Sequence, residues 1–101
     1  MIDVQFVTPN EMLSRIASAE RAKRLSLNLS QQSLSDRSGV SLGVLKKFER
    51  TGKISLESLL KLALVLGSLE EFATLFRPSA PQKLLSLDDL LKQKTRERGR
   101  K

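Results

Sequence analysis

The sequence contains no cysteine, histidine, tryptophan or tyrosine, and its only aromatic residues are four phenylalanines. Without cysteine and histidine it has no disulfide, no Cys- or His-ligated zinc, no cysteine nucleophile and no Ser-His-Asp triad. Without tyrosine and tryptophan, a carbohydrate site or an aromatic platform for RNA is not expected. We therefore expect no metal and no cofactor. The lack of cysteine also fits a reducing cytoplasm.

Long hydrophobic runs are absent as well. The longest apolar run, residues 62–69, already contains Gly67 and Ser68, whereas a membrane-spanning helix needs about 20 apolar residues. A secretory signal has a basic region followed by a long apolar stretch. The sequence begins Met1-Ile2-Asp3 and shows neither of these features near its start. The sequence therefore predicts a cytoplasmic protein with no membrane partner.

Charge is abundant but unevenly distributed. The sequence has 101 residues, a length that suits a single domain. It carries 18 basic and 11 acidic side chains, which gives a net charge of +7. Residues 15–53 contribute +6 and residues 92–101 contribute +5, while residues 1–14 and 54–91 contribute −2 each. Localised basic blocks favour a polyanionic partner, nucleic acid before anionic membrane. The alternative is a merely solvated surface.

The N-terminal residues predict a short strand. In residues 2–7 the apolar side chains of Ile2, Val4 and Phe6 alternate with other residues at a period of two. A single strand cannot satisfy its own backbone groups. The simplest partner is the same strand of a second copy, so these three residues are predicted dimer contacts.

Five helices are predicted from caps and stop signals. The first starts at Thr8-Pro9, with Glu11 completing a capping box, and runs to about Ser26, where Asn28 adopts a left-handed conformation. Its predicted buried face comprises Met12, Leu13, Ile16, Ala17 and Leu25. Ser30, Ser41 and Ser55 cap the next three helices, which end at Gly39, Thr51-Gly52 and Gly67. The fourth is apolar around most of its circumference and should be central. Ser68 to Glu71 forms a second capping box that opens a short fifth helix.

The C-terminal part divides into a linker, a leucine-rich segment and a basic tail. Residues 77–81 contain two prolines and break the helical pattern, which predicts a domain over residues 1–77 and an extension over 78–101. Leu87, Leu90 and Leu91 belong to one or two turns of predicted amphipathic helix that contacts a partner, the dimer or its own domain. Residues 92–101 have no apolar side chain and are predicted to be disordered.

Residues 31–49 have the pattern of a helix-turn-helix, in which two short helices join through a tight turn containing glycine. Gly39 supplies the turn, and the apolar residues that wedge the helices together are Leu34, Val40, Leu45 and Phe48. The exposed face of the third helix then presents Ser41, Leu42, Gly43, Lys46 and Lys47. A helix face with small side chains at one end and basic side chains at the other is suited to lie in a DNA major groove. A plain five-helix bundle is the alternative.

The segment Leu29-Ser30-Gln31-Gln32-Ser33-Leu34, then Gly39-Val40-Ser41, Leu45, Phe48-Glu49 and Gly52, resembles the Xre/phage-repressor helix-turn-helix family over roughly residues 9–76. Ser35 and Ser38 stand where that family usually has alanine, and serine is small enough to allow the same helix approach. The resemblance implies an all-α, five-helix, lambda-repressor-like fold. It also implies a homodimer that binds palindromic operator DNA.

The resemblance also implies residue roles. Gln31 contacts the DNA backbone and braces the recognition helix. Base contacts fall on Ser41, Leu42, Gly43, Lys46 and Lys47. The lysines are favoured for reading guanine, because Leu42 and Gly43 have no hydrogen-bonding side chain. Phosphate contacts fall on Arg50, Lys53, Lys23 and Arg24.

The N-terminal strand, the Thr-Pro helix start and the leucine-rich fourth helix are similar to those of HipB-type antitoxins, which repress their own operon and bind a HipA-like serine/threonine kinase toxin. A stand-alone regulator and a protein-binding adaptor without DNA binding are the alternatives. An enzyme is not expected, because the acidic pairs Glu70-Glu71 and Asp88-Asp89 lie at predicted helix starts, where they complement the helix dipole.

Overall fold

A computed structural model describes residues 7–78, and every regular element in that range is helical. Four α-helices are followed by a 3₁₀ helix, with these bounds: α1 Pro9–Ser26, α2 Gln31–Ser38, α3 Leu42–Thr51, α4 Leu56–Leu66, and the 3₁₀ helix Leu69–Thr74. Residues 2–6 of the predicted strand lie outside the described residues, and Val7 is not part of a strand. The predictions for residues 79–101 also lie outside them.

The predicted starts of α1 to α4 are confirmed by their caps. The Thr8 hydroxyl accepts the Glu11 N–H at 3.1 Å while the Glu11 carboxylate accepts the Thr8 N–H at 3.0 Å. Ser30, Ser41 and Ser55 each accept a backbone N–H three residues ahead, at 3.0, 3.2 and 3.1 Å. A serine cap satisfies one of the N–H groups that a helix start leaves unpaired.

The ends of these helices also follow the predicted stop signals. Gly39 and Gly52 adopt φ of +82° and +85° at the ends of α2 and α3. Asn28 adopts φ of +60° just after α1, the left-handed conformation predicted for it. Short helices stopped in this way keep the connections between α1, α2 and α3 tight.

The core lies where α2 and α3 wedge against α1 and α4. The four residues predicted for the wedge are all buried, and Leu34, Leu45 and Phe48 are at most 1% exposed. Ala17 of α1 and two leucines of α4 complete the cluster, Leu62 and Leu66. α1 packs on α3, and α2 packs on both α3 and α4.

Three expectations about the helices are wrong. Met12, Ile16 and Leu25 are exposed, because α1 turns the stripe of Ala17, Glu20 and Arg24 inward instead. α4 is one-sided rather than surrounded, with Leu56 and Leu64 more than 60% exposed. A short fifth helix follows Ser68 as predicted, but it is a 3₁₀ helix, and the predicted Ser68 cap is wrong because that side chain makes no capping hydrogen bond. None of the helices within residues 7–78 is long and apolar enough to cross a membrane.

Candidate nucleic-acid interface

The outer face of α3 is polar, basic and open. Ser41, Gly43, Lys46 and Lys47 are exposed, and Leu42 is half-buried. Gly43 faces open space, since no atom lies within 4 Å of the position where a Cβ would be. The first N–H groups of an α-helix have no acceptor within the helix. The start of α3 therefore presents small side chains and backbone N–H donors, and the next turn presents the two cations Lys46 and Lys47. The structure thus brings together the five residues predicted to read bases.

Three further cations that were predicted to contact phosphates are also exposed. Arg50 in the last turn of α3, Lys53 after it and Lys23 in the last turn of α1 are exposed. None of them forms an ion pair with a carboxylate of residues 7–78. Arg50 and Lys53 therefore remain available to an anionic partner at the C-terminal end of α3, whereas Lys23 lines a groove between α1, α4 and the 3₁₀ helix.

Thr51 fixes the turn that positions Lys53. Its hydroxyl donates to the Lys47 carbonyl oxygen at 2.8 Å and accepts the Lys53 N–H at 3.1 Å. The chain then turns through Gly52, whose N–H donates to the Phe48 carbonyl at 2.7 Å. These hydrogen bonds fix the backbone at the C-terminal end of α3, where the basic residues Arg50 and Lys53 lie.

Behind this face, a buried polar network joins the first three helices. The Arg24 guanidinium of α1 donates to both carboxylate oxygens of Glu49 in α3 at 2.9 Å, and the Gln31 amide of α2 donates to one of them at 2.9 Å. A third Arg24 bond reaches the Leu29 carbonyl at 2.9 Å. The Arg24 and Glu49 side chains are only 7% and 5% exposed. A two-pronged Arg–carboxylate contact restricts orientation as well as distance, so the network fixes α3 relative to α1 and α2.

The network corrects one predicted site residue. Arg24 was expected at the surface as a phosphate contact, but it is buried because Glu49 and the Leu29 carbonyl take up its guanidinium. Its role is to position α3. Gln31 is half-buried at the start of α2, where its amide braces α3 through Glu49, as the family resemblance implied.

Ionisation in the network is strongly biased. Burial alone would raise the pKa of Glu49, but the hydrogen bonds from Arg24, Glu20 and Gln31 outweigh it and lower that pKa. The hydrogen bond to Glu49 is also the main reason that the pKa of Arg24 is raised. The Arg24–Glu49 pair therefore stays charged over the physiological range.

Glu20 is the exception in this network. Burial, followed by the hydrogen bond with Glu49 and the charge of Glu49, raises the pKa of Glu20 to about 8, although Arg24 opposes the shift. Neither oxygen of the buried Glu20 carboxyl accepts a hydrogen bond from the described residues. When Glu20 is protonated, its carboxyl group can instead donate a hydrogen bond to the Glu49 carboxylate. The raised pKa therefore favours the protonated form of Glu20 at neutral pH.

Replacing Glu20 by glutamine tests this assignment. Because the pKa is higher in the folded than in the unfolded chain, the folded state binds more protons between about pH 4.5 and 8, and stability falls as pH rises across that window. Glutamine mimics the protonated form at every pH. We expect Glu20→Gln to raise the free energy of unfolding by about 1–3 kcal/mol at pH 9 and to change it little at pH 5, as measured by urea denaturation.

The matched control for this substitution is Glu70→Gln, which removes the same charge from an exposed position in the 3₁₀ helix. It should change the free energy of unfolding by less than about 0.5 kcal/mol at either pH. If Glu20→Gln has the same effect at pH 5 and pH 9, Glu20 does not titrate in this window and the assignment is wrong.

Sequence reasoning missed Glu20, Arg24 and Glu49 as a structural unit. A signal was present: Ala17, Glu20 and Arg24 are spaced i, i+3 and i+7, which places them on one helical stripe. The stripe was missed because charged residues such as Glu20 and Arg24 are almost never buried unless they are paired. The sequence does not show that Glu49 is the partner of Arg24.

Comparison with known proteins agrees with this geometry. A family model described as helix-turn-helix matches residues 21–72, from the second half of α1 into the 3₁₀ helix. A search of curated proteins found no match. The family match spans 52 of the 101 residues, including Arg24, Gln31 and Glu49 of the network and the face of α3. Because it covers more than half of the chain, the protein belongs to the helix-turn-helix family of Xre-type DNA-binding regulators.

Proposed function

We propose that this protein is a sequence-specific transcriptional repressor that inserts α3 into the major groove of its operator. The observation that carries the proposal is the pairing of an open basic face on α3 with a buried network that ties the same helix to α1 and α2. Base reading needs side chains held at fixed positions relative to the backbone-contacting residues. A helix tied to both of its neighbours through one carboxylate meets that need.

Within this proposal the exposed residues divide into base readers and phosphate contacts. Lys46 and Lys47 reach guanine edges, and Ser41 contacts a base at the start of the helix. Leu42 and Gly43 sense a thymine methyl or backbone shape. Gln31, Arg50, Lys53 and Lys23 contact phosphates, which set position without reading sequence. Arg24 is excluded from this set because its guanidinium is already occupied.

We further propose that the protein acts as a homodimer on a palindromic operator. A single recognition helix covers only one half-site, and dimers place two of them about one DNA turn apart. The predicted N-terminal strand, with Ile2, Val4 and Phe6, supplies a means of pairing two copies.

The finer proposal is that the protein is a HipB-like antitoxin whose partner is a HipA-like serine/threonine kinase toxin. The support for this is the similarity in the order of elements: a strand, a Thr-Pro helix start, a Gln-led helix-turn-helix and a leucine-rich fourth helix. A kinase-like gene next to this one, with co-purification of the two products, tests it. A lone gene whose product regulates an unrelated promoter would favour the stand-alone regulator.

The experiment for the main proposal is fluorescence anisotropy with the DNA upstream of the protein's own gene, at several salt concentrations and against a scrambled duplex. We expect tighter binding to the upstream DNA by about 10³-fold or more, with an affinity that falls as salt rises. No binding even at low salt would overturn the repressor proposal and favour a protein-binding adaptor.

A further inference from the structure

A groove of about 450 Å³ lies between α1, α4 and the 3₁₀ helix. We call it the α1–α4 groove. Ile16 and Ala19 form one wall, Ala63 lies on another, and Phe72 and Leu75 lie at its 3₁₀ side. No residue of α3 lines it, so it is separate from the recognition face of α3, although Lys23, a proposed phosphate contact, is among its lining residues. Its apolar lining explains why Ile16 and Leu75 are left 37% and 55% exposed among the described residues.

We propose that this groove is filled by residues 84–91 of the same chain, the segment that carries Leu84, Leu85, Leu87, Leu90 and Leu91. Leu84, Leu87 and Leu91 have the i, i+3, i+7 spacing that places apolar side chains on one face of a helix. A short helix laying such a face into an apolar groove is a common mode of recognition. The proposal is independent of what α3 binds.

The position of the segment in the chain favours this occupant. Leu75 lines the groove, and Leu84 follows only nine residues later. Nine residues span up to about 30 Å when extended, so the segment reaches the groove without unfolding the domain. A short linker also gives an effective concentration in the millimolar range.

The size of the groove argues against a second copy as its main occupant. Twelve residues line it, whereas a standard protein interface uses about 20–30 residues on each side. A segment that binds with a Kd of about 1 mM would occupy about 1% of grooves between chains at 10 μM, yet about half of them within one chain. Tethering therefore makes a weak site functional.

The charges at the groove are complementary to those of the segment. Lys23 lines it from α1 and Glu71 from the 3₁₀ helix. The segment carries Asp88 and Asp89 among its leucines, and Lys83 directly precedes it. Lys23 and Glu71 thus each have a group of opposite charge available in the segment or directly before it.

Alanine-methyl NMR of the full chain tests the proposal. Ala19 and Ala63 line the groove, while Ala22, also on α1, does not. We expect Leu87→Asp/Leu91→Asp to shift the methyl signals of Ala19 and Ala63 and to leave that of Ala22 in place. The matched control is Ser86→Asp/Gln93→Asp, which adds the same charge without removing a leucine and should shift none of them. If the Ala19 and Ala63 signals are the same in the two double variants, the proposal is wrong. It is also wrong if Leu87→Asp/Leu91→Asp shifts the Ala22 signal as much as those of Ala19 and Ala63.

A second measurement separates docking within one chain from docking between chains. Because the chain has no cysteine, Gln93→Cys accepts a single spin label. Ala19 and Ala63 signals should lose intensity when the spin label and the isotope label are on the same chain. They should keep it in a mixture where the two labels are on different chains. Loss in the mixture would show that a second copy fills the groove, and no loss in either sample would overturn docking altogether.

Discussion

Replacing Arg24 by methionine is expected to lower the free energy of unfolding by about 3–5 kcal/mol at pH 7. The substitution keeps an unbranched, apolar stem but removes the cation that donates to both oxygens of Glu49. Glu49 is then a buried carboxylate held by the Gln31 amide, with the buried Glu20 carboxyl beside it. Urea denaturation followed by circular dichroism measures the loss as a lower midpoint.

The control for Arg24 is its neighbour Lys23. Lys23→Met removes the same charge from an exposed position in the same helical turn and should cost less than about 0.5 kcal/mol. The penalty for Arg24→Met should also shrink in acid, because protonating Glu49 removes the unpaired charge. Equal losses for the two variants, or a penalty that does not depend on pH, would contradict a structural role for the Arg24–Glu49 pair.

Gly52→Ala is expected to cost about 2–5 kcal/mol of the free energy of unfolding. Two effects add at this residue. Its φ of +85° disfavours any residue with a Cβ by about 1–2 kcal/mol. A Cβ there would also lie 2.8 Å from both the carbonyl oxygen and the Cβ of Leu13 in α1. Relieving that overlap requires α1 to move away from α3, at a further cost of about 1–3 kcal/mol.

Gly39 separates these two effects. Its φ is +82°, almost the same as that of Gly52, but no atom lies within 4 Å of the position of its Cβ. Gly39→Ala should therefore cost only the conformational term of about 1–2 kcal/mol. Both values come from the same thermal or urea unfolding experiment. If Gly39→Ala costs as much as Gly52→Ala, the close approach of α1 to the end of α3 is not what Gly52 permits.

Local sequence signals predicted most of the fold. The serine caps, the glycine stops and the wedge of Leu34, Val40, Leu45 and Phe48 depend on interactions within a few residues or on strict spacing, which a sequence displays directly. The boundaries of α1 to α4 followed from them. The 3₁₀ helix did not, because the Ser68 pattern resembled a cap but its side chain makes no capping bond.

The side of α1 that faces inward could not be predicted from hydrophobicity. Its apolar residues point largely to solvent or to the α1–α4 groove, while Glu20 and Arg24 are buried. That choice depends on a carboxylate 25 residues away from Arg24, at Glu49. A pairing across such a distance leaves no local pattern, whereas the exposed face of α3 could be predicted because it requires only the opposite side of a short amphipathic helix.

The most direct test of the central claim, that α3 reads DNA sequence, is the binding of Lys46→Ala and Lys47→Ala to the operator and to a set of single-base variants of it. We expect a loss of about 1–3 kcal/mol in binding for each lysine that contacts a base, together with relaxed preference at specific base pairs. Lys61→Ala, which removes an exposed cation from α4, is the matched control and should leave the ranking of sequences unchanged. A loss that is equal for every sequence would show that Lys46 and Lys47 contact phosphates only and that α3 does not read the bases through them.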